Sequence, residues 1–149
     1  MKTEESDPIY LWRTVKSQLM KHEGLELKPY KDTVGVLTIG YGRNLEKGIT
    51  EREASLLLAN DIHQAMHDAA KFSAVAWNQM NDARKAVVIN MAFNLGYARL
   101  SKFVLFRAAL AIGDWEKAAR RMESSLWYKQ VKGRAVELVA QMRTGEVQK

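Results

Sequence analysis

Residues 22–42 read HEGLELKPYKDTVGVLTIGYG, and how this stretch is parsed decides the reading of the whole chain. Just upstream, Asp7-Pro8 has the form of a helix N-cap followed by a first helical position. Leu11, Val15 and Leu19 then repeat at four-residue spacing beside Trp12, which predicts a first helix to about His22. From Pro29 to Leu45 the period changes. Gly35, Gly40 and Gly42 punctuate short runs such as VLTIGY, the pattern of a small antiparallel hairpin or three-stranded sheet. Glu23 therefore falls at a helix end, and Asp32 and Thr38 fall in or beside a hairpin.

Beyond the hairpin the pattern is helical. Thr50 and Glu53, three residues apart ahead of an apolar run, form a capping box, and their helix is predicted to reach about Lys71. After a break at AWNQMND comes ARKAVVINMAFNLG, apolar nearly all round and closed by Gly96, which suits the centre of a helical lobe. Ser101 reads as the cap of KFVLFRAALAIG and Asp114 as the cap of WEKAARRMES. A last amphipathic helix covers roughly 133–143 and stops at Gly145. The expected order is one helix, a small β unit and five helices. The lobe boundary falls at the helix from Thr50, and a cleft between a β-containing lobe and a helical lobe is where a ligand is expected.

Composition narrows the function classes. At 149 residues the chain is long enough for one domain with its own core. It has no cysteine, which excludes disulfides and thiolate metal sites. No apolar run suffices to span a bilayer, and the first 22 residues mix charged and apolar groups, so neither an integral membrane segment nor a secretory signal is expected. Lys and Arg number 23 against 17 Asp and Glu, a formal +6. That excess favours encounter with a polyanion: a bacterial wall, an anionic lipid surface or nucleic acid. The cations are spread along the chain without a dense block. This fits a general surface field better than a nucleic-acid stripe, so no nucleic-acid partner is expected.

Several chemistries fail on spacing. His22-Glu23 begins like the zinc-protease pattern H-E-x-x-H, but position 26 is Glu. His63 and His67 stand one helical turn apart near Asp61 and Asp68 without a third ligand of matching spacing, which fits a solvated helix face; no metal and no cofactor is expected. IGYGRNLEKG holds G-x-G without the remaining glycine of a dinucleotide fingerprint, and neither a P-loop nor a G-x-S-x-G elbow occurs. Glu23, Asp32 and Thr38 remain. Paired carboxylates across a cleft are what glycoside hydrolysis needs: one protonated to donate to the leaving oxygen, the other ionised to direct water or stabilise positive charge on the sugar. A hydroxyl such as that of Thr38 can hold the water. The same residues also fit an exposed helix end, a turn opener and a strand former, and their types and spacing leave both readings open.

The order E-G-x-x-x-x-x-Y-x-D, then threonine, then I-G-x-G, running from Glu23 to Gly42, resembles the catalytic segment of phage-type lysozymes, glycoside hydrolase family 24, with its T-even and lambdoid branches. GITEREASLLLANDI resembles that family's lobe-connecting helix, INMAFNLG its buried central helix and DWEKAARRMESSLWYKQVKGRA its C-terminal tryptophan segments, so roughly residues 15–145 are covered. The resemblance implies an α+β fold, a mainly helical lysozyme-like domain over 1–149. A small antiparallel β-sheet lobe at about 23–50 and a connecting helix at about 50–71 are followed by a larger helical lobe at about 72–149, which includes the N-terminal helix, and the two lobes flank a cleft. It also implies an endo-acting muramidase cleaving the β-1,4 bond between N-acetylmuramic acid and N-acetylglucosamine in peptidoglycan. Glu23 then corresponds to the general acid, Asp32 to the second catalytic carboxylate and Thr38 to the residue that positions water with it. A lytic transglycosylase can run on a single glutamate, so Asp32 and Thr38 favour hydrolysis; a catalytically inactive wall-binding protein is a further alternative.

The resemblance extends to substrate contacts. Arg134 in KGRA matches an arginine near the glutamate, Phe93 and Asn94 in AFNLG match cleft-wall positions, and Asn44 falls, as a departure, where the T-even branch has a cleft leucine; Asn44, Phe93, Asn94 and Arg134 are the expected substrate-binding set. Phe93 equally suits helix core and Arg134 a surface helix start, while Trp127 suits core or a hydrogen-bond partner of Asn94 better than a sugar platform. Arg43 departs from the histidine that many members carry, and Phe106 and Arg121 replace small polar groups. The family expectation for the whole protein is a monomeric phage endolysin. It would be held in the host cytoplasm until a holin opens the membrane, and would then act on peptidoglycan glycan strands in the cell wall of the periplasm.

Overall fold

The computed structural model describes residues 7–149. Two compact units divide the chain, Met1–Ala54 and Ser55–Lys149. In the first, Asp7 caps helix α1 (Pro8–Glu23) by accepting from the Ile9 N–H at 3.0 Å, and Pro8 takes the first helical position, where a missing N–H is harmless. Gly24 ends the helix at φ 71° and its N–H bonds back to the Met20 carbonyl. The chain then forms a three-stranded antiparallel sheet in the order β1 (Glu26–Lys31), β2 (Leu37–Gly40), β3 (Arg43–Asn44). Strand β1 starts ahead of Pro29, which has no N–H to give a ladder; the register is interrupted between Glu26 and Tyr30, and the proline is accommodated there on an edge strand.

Register decides which side chains share a face. Tyr30 pairs with Thr38 and Thr38 with Asn44, so these three stand in one row across the sheet. After β3 a 3-10 turn (Leu45–Lys47) leads to α2 (Glu51–Ser73). The capping box forms as the spacing predicts: Glu53 N–H donates to Thr50 Oγ1 and Thr50 N–H to Glu53 Oε1, both at 3.1 Å. Arg43 of β3 reaches the same glutamate at 2.6 Å and ties the sheet to the start of α2.

The second unit is helical. Helix α2 runs two residues past Lys71 and gives way to a 3-10 stretch (Ala74–Gln79), followed by α3 (Asp82–Leu95), α4 (Tyr97–Leu100), α5 (Val104–Ala111), α6 (Trp115–Glu123), α7 (Leu126–Val131) and α8 (Gly133–Thr144). Seven helices follow the sheet where five were expected, because α4 and α7 are too short to leave a periodic signal. Ser101 does not cap α5. Its hydroxyl donates back to the Ala98 carbonyl at 2.7 Å and closes α4, and α5 starts at Val104 without a side-chain cap. Asp114 does cap α6, accepting from Lys117 N–H at 2.9 Å.

The core of this unit is formed by Phe72, Val87, Val88, Met91, Leu100, Phe106, Leu110, Met122 and Met142, all essentially inaccessible. Phe72 of α2 stacks on Phe106 of α5 with ring centroids 6.0 Å apart. Helix α3 is covered along one side only: Val87, Val88, Met91 and Ala92 are buried, whereas Ala86, Asn90 and Phe93 are exposed, so it is not the all-round core helix its composition suggested. The end of α8 is clamped from α3. Arg84 donates from Nε to the Met142 carbonyl at 2.8 Å and from its guanidinium to the Arg143 carbonyl at 3.1 Å, and it lies over the Trp115 ring. Charge is divided unequally between the units. Residues 1–54 hold nine Lys or Arg and nine Asp or Glu, and residues 55–149 hold 14 against 8, so the formal excess belongs to the helical unit.

Candidate active site

In the first unit the candidate acid is the last residue of α1. Glu23 projects toward the turn between β2 and β3, where Gly42 lies at φ 76° with its α-carbon against the carboxylate: a β-carbon there would be 2.9 Å from Glu23 Oε2. Tyr41 joins Trp12, Val15, Lys16, Leu19 and Met20 of α1 around a depression of about 320 Å³. Within this unit no hydrogen bond or ion pair among the described residues engages the Glu23 carboxylate, and its close neighbour there is Gly42.

Asp32 and Thr38 are fixed differently. The backbone turns between β1 and β2, with Asp32 N–H donating to the Val36 carbonyl at 2.9 Å and Gly35 N–H to the Asp32 carbonyl at 3.0 Å. Asp32 Oδ1 closes the turn by accepting from Val34 N–H at 3.0 Å and Val36 N–H at 2.8 Å, the Asx geometry that DTVG favours. Thr38 is 4% exposed and its Oγ1 donates to the Val36 carbonyl at 2.8 Å. One residue thus anchors both side chains, its N–H holding the carboxylate and its carbonyl taking the hydroxyl proton. Val36 escaped the sequence reading because its contribution is made by backbone alone; the Asp-to-Gly35 turn spacing was the available signal.

Electrostatics in this unit centre on Arg43. Its pairing with Glu53 raises the guanidinium pKa, and that hydrogen bond, with those from Thr50, holds the Glu53 carboxyl down at about 2. The cation that replaces histidine is therefore spent on the helix start. Asn44 Oδ1 accepts from Glu46 N–H at 2.8 Å to cap the 3-10 turn, which leaves its amide NH₂ for any ligand.

The other candidates lie in the helical unit. Phe93 is 47% exposed rather than core, and with Leu58, Ile62, Ala86, Ile89, Asn90 and Arg134 it lines a depression of about 370 Å³ with apolar walls. Phe93 and Arg134 are thereby brought together, with the unanticipated Asn90. Asn94 does not line this depression: its Oδ1 accepts from Nε1 of the buried Trp127 at 2.9 Å, which assigns Trp127 the structural part expected of it. Phe106 is interior, and only Arg121 of the two departures at small polar positions retains exposure. Among the described residues no group of three or more His, Asp or Glu could hold a metal ion, and no helix is long and apolar enough to cross a membrane.

The family model described as Phage lysozyme matches residues 20–146. The pre-baseplate central spike protein Gp5 of Enterobacteria phage T4 is 32% identical over 163 residues, a match covering 91% of this chain and 28% of that protein. Probable T4-type lysozyme 1 and probable T4-type lysozyme 2 of Dictyostelium discoideum are 26% and 25% identical, each over 89% of this chain and 95% of the relative. The chain thus spans little more than a quarter of the spike protein and nearly all of the other two.

Proposed function

The chain belongs to the phage lysozyme family and is a lysozyme-type glycoside hydrolase of peptidoglycan, and we propose that it hydrolyses the β-1,4 bond between N-acetylmuramic acid and N-acetylglucosamine with Glu23, Asp32 and Thr38 as its catalytic set. Glu23, neutral, gives its proton to the glycosidic oxygen as the bond to C1 breaks and the electron pair leaves with that oxygen. Positive charge develops on the sugar. Water then adds to C1, and the proton it releases passes to the Asp32 carboxylate.

The observation that carries this reading is the shared anchor at Val36. With Oδ1 of Asp32 occupied by two backbone N–H groups and the Thr38 proton given to the Val36 carbonyl, the second carboxylate oxygen and the threonine lone pairs remain as acceptors. A water donating to both has its own lone pair free for C1. Arg134 and Phe93 are suited to the substrate through a guanidinium beside an apolar wall, and Asn44 and Asn94 through their amide N–H groups. The test is turbidity loss of purified peptidoglycan with wild type, Glu23→Gln and Asp32→Asn, with mass spectrometry of fragments formed in labelled water. Loss of activity in both variants and one label per cleaved bond support the reading. Full activity of Glu23→Gln overturns the assignment of the acid, and anhydro-muramic ends overturn hydrolysis in favour of transglycosylation.

For the whole protein we place the activity in a monomeric endolysin that waits in the host cytoplasm and reaches the wall through a holin. A second reading, favoured by the 32% identity to a phage spike protein, is a wall-opening module carried on a virion. Co-expression separates them: the endolysin reading expects lysis from within only when a holin is present.

A further inference from the structure

Gly40 and Gly42 stand two residues apart at nearly the same backbone conformation, φ 68° and φ 76°, yet their surroundings differ. A β-carbon on Gly40 would meet nothing within 4 Å. One on Gly42 would lie 2.9 Å from Oε2 and 3.2 Å from Cδ of Glu23. Both positions favour glycine for its left-handed freedom, but only the second has a further reason to lack a side chain.

We infer that Gly42 is a positioning residue for the general acid, its bare α-carbon forming the seat on which the Glu23 carboxyl rests. This inference rests on the assignment of Glu23 as proton donor. Within its unit the described residues offer the carboxyl no hydrogen-bond donor, and the contact with Gly42 is what bears on where it points there. A C–H surface constrains the position of the carboxyl by contact alone. Tyr41, the neighbour of Gly42 in the turn, borders the same depression as Trp12, Val15, Lys16, Leu19 and Met20 of α1.

The consequence is quantitative. Ordinary contact needs about 3.4 Å, so a methyl at position 42 moves the carboxyl oxygen by about 0.5 Å, and since a displacement of about 1 Å can cost about 100-fold, the expected loss is about tenfold in kcat. The clash itself adds little to unfolding, because the atom it meets is the far end of a flexible side chain. Backbone strain is common to both glycines.

The experiment compares Gly42→Ala with Gly40→Ala, and Gly42→Asn with Gly40→Asn because asparagine tolerates positive φ and keeps the fold if alanine does not. Glu23→Gln is assayed alongside. On soluble glycan oligomers, kcat is expected to fall about tenfold in both position-42 variants with KM nearly unchanged, and less than about threefold in the matched position-40 variants, while melting temperatures fall equally at the two positions. Equal activity losses at positions 40 and 42 overturn the inference and leave Gly42 a turn residue. Full activity of Glu23→Gln instead overturns the assignment on which it rests, so the two failures are distinguishable.

Discussion

Asp32 performs a structural task with one oxygen and is assigned a chemical one with the other, and two substitutions separate them. In Asp32→Ala the N–H groups of Val34 and Val36 lose their acceptor. The first bond is exposed and contributes about 0.5 kcal/mol; the second is part-buried and charge-assisted and contributes about 1.5 kcal/mol, so the expected destabilisation is about 2 kcal/mol. For a chain of this size that is a fall of about 4–8 °C in Tm. Asp32→Asn keeps a carbonyl oxygen where Oδ1 was, so the turn persists with neutral bonds and the loss is under about 1 kcal/mol. Both variants lack the carboxylate proposed to accept the proton of the attacking water and are expected to lose at least about 100-fold in kcat. The assays are thermal unfolding followed by circular dichroism and release of reducing ends from peptidoglycan. An Asp32→Asn protein with near-wild-type turnover refutes the chemical task, and an Asp32→Ala protein that melts with wild type refutes the structural one.

Three further outcomes are expected. Arg84→Ala removes two guanidinium bonds to the last carbonyls of α8 and the contact with Trp115, a loss of about 2–3 kcal/mol that should lower Tm by about 5–10 °C. Glu53 has a folded pKa lowered from 4.5 to about 2, so its contribution to stability is complete above about 4.5 and is lost as pH falls through about 2; urea midpoints measured from pH 5 to pH 2 should fall less steeply in Glu53→Gln than in wild type. Trp127→Phe keeps the ring's packing and deletes the indole N–H to Asn94, which should cost about 1 kcal/mol in urea unfolding while Trp127→Leu costs more.

The elements that sequence reading recovered are those whose ends carry their own chemistry. Asp7-Pro8, the Thr50–Glu53 pair and Asp114 mark helix starts because each satisfies an orphan N–H locally, and each does so in the folded chain. Ser101 failed by the same logic, since a serine between two helices can close the one before as readily as open the one after. Helices α4 and α7 span four and six residues, and so short a run cannot show a 3.6-residue period. Phe106 could not be placed from sequence, because its neighbour Phe72 lies 34 positions away and only tertiary packing brings the rings together.

The candidate site divides along the same line. Glu23, Asp32 and Thr38 could be named as candidates because proton donation and water handling require particular functional groups, but their types and spacing left an ordinary surface reading open, and the resemblance to phage-type lysozymes chose between the two. What aims those groups is backbone: the Val36 peptide that holds Asp32 and Thr38 together, and the α-carbon of Gly42 beneath Glu23. Any β-branched residue at 36 offers the same N–H and carbonyl, so nothing in its identity reports the task. Gly42 is the opposite case. Its identity is constrained twice, by positive φ and by the missing β-carbon, but a glycine in a sequence declares only the first, and Gly40 shows that the first can exist without the second. A motif such as I-G-x-G therefore contains two glycines of different kinds, and the space around each, which sequence does not encode locally, is what distinguishes a turn former from a seat for the acid.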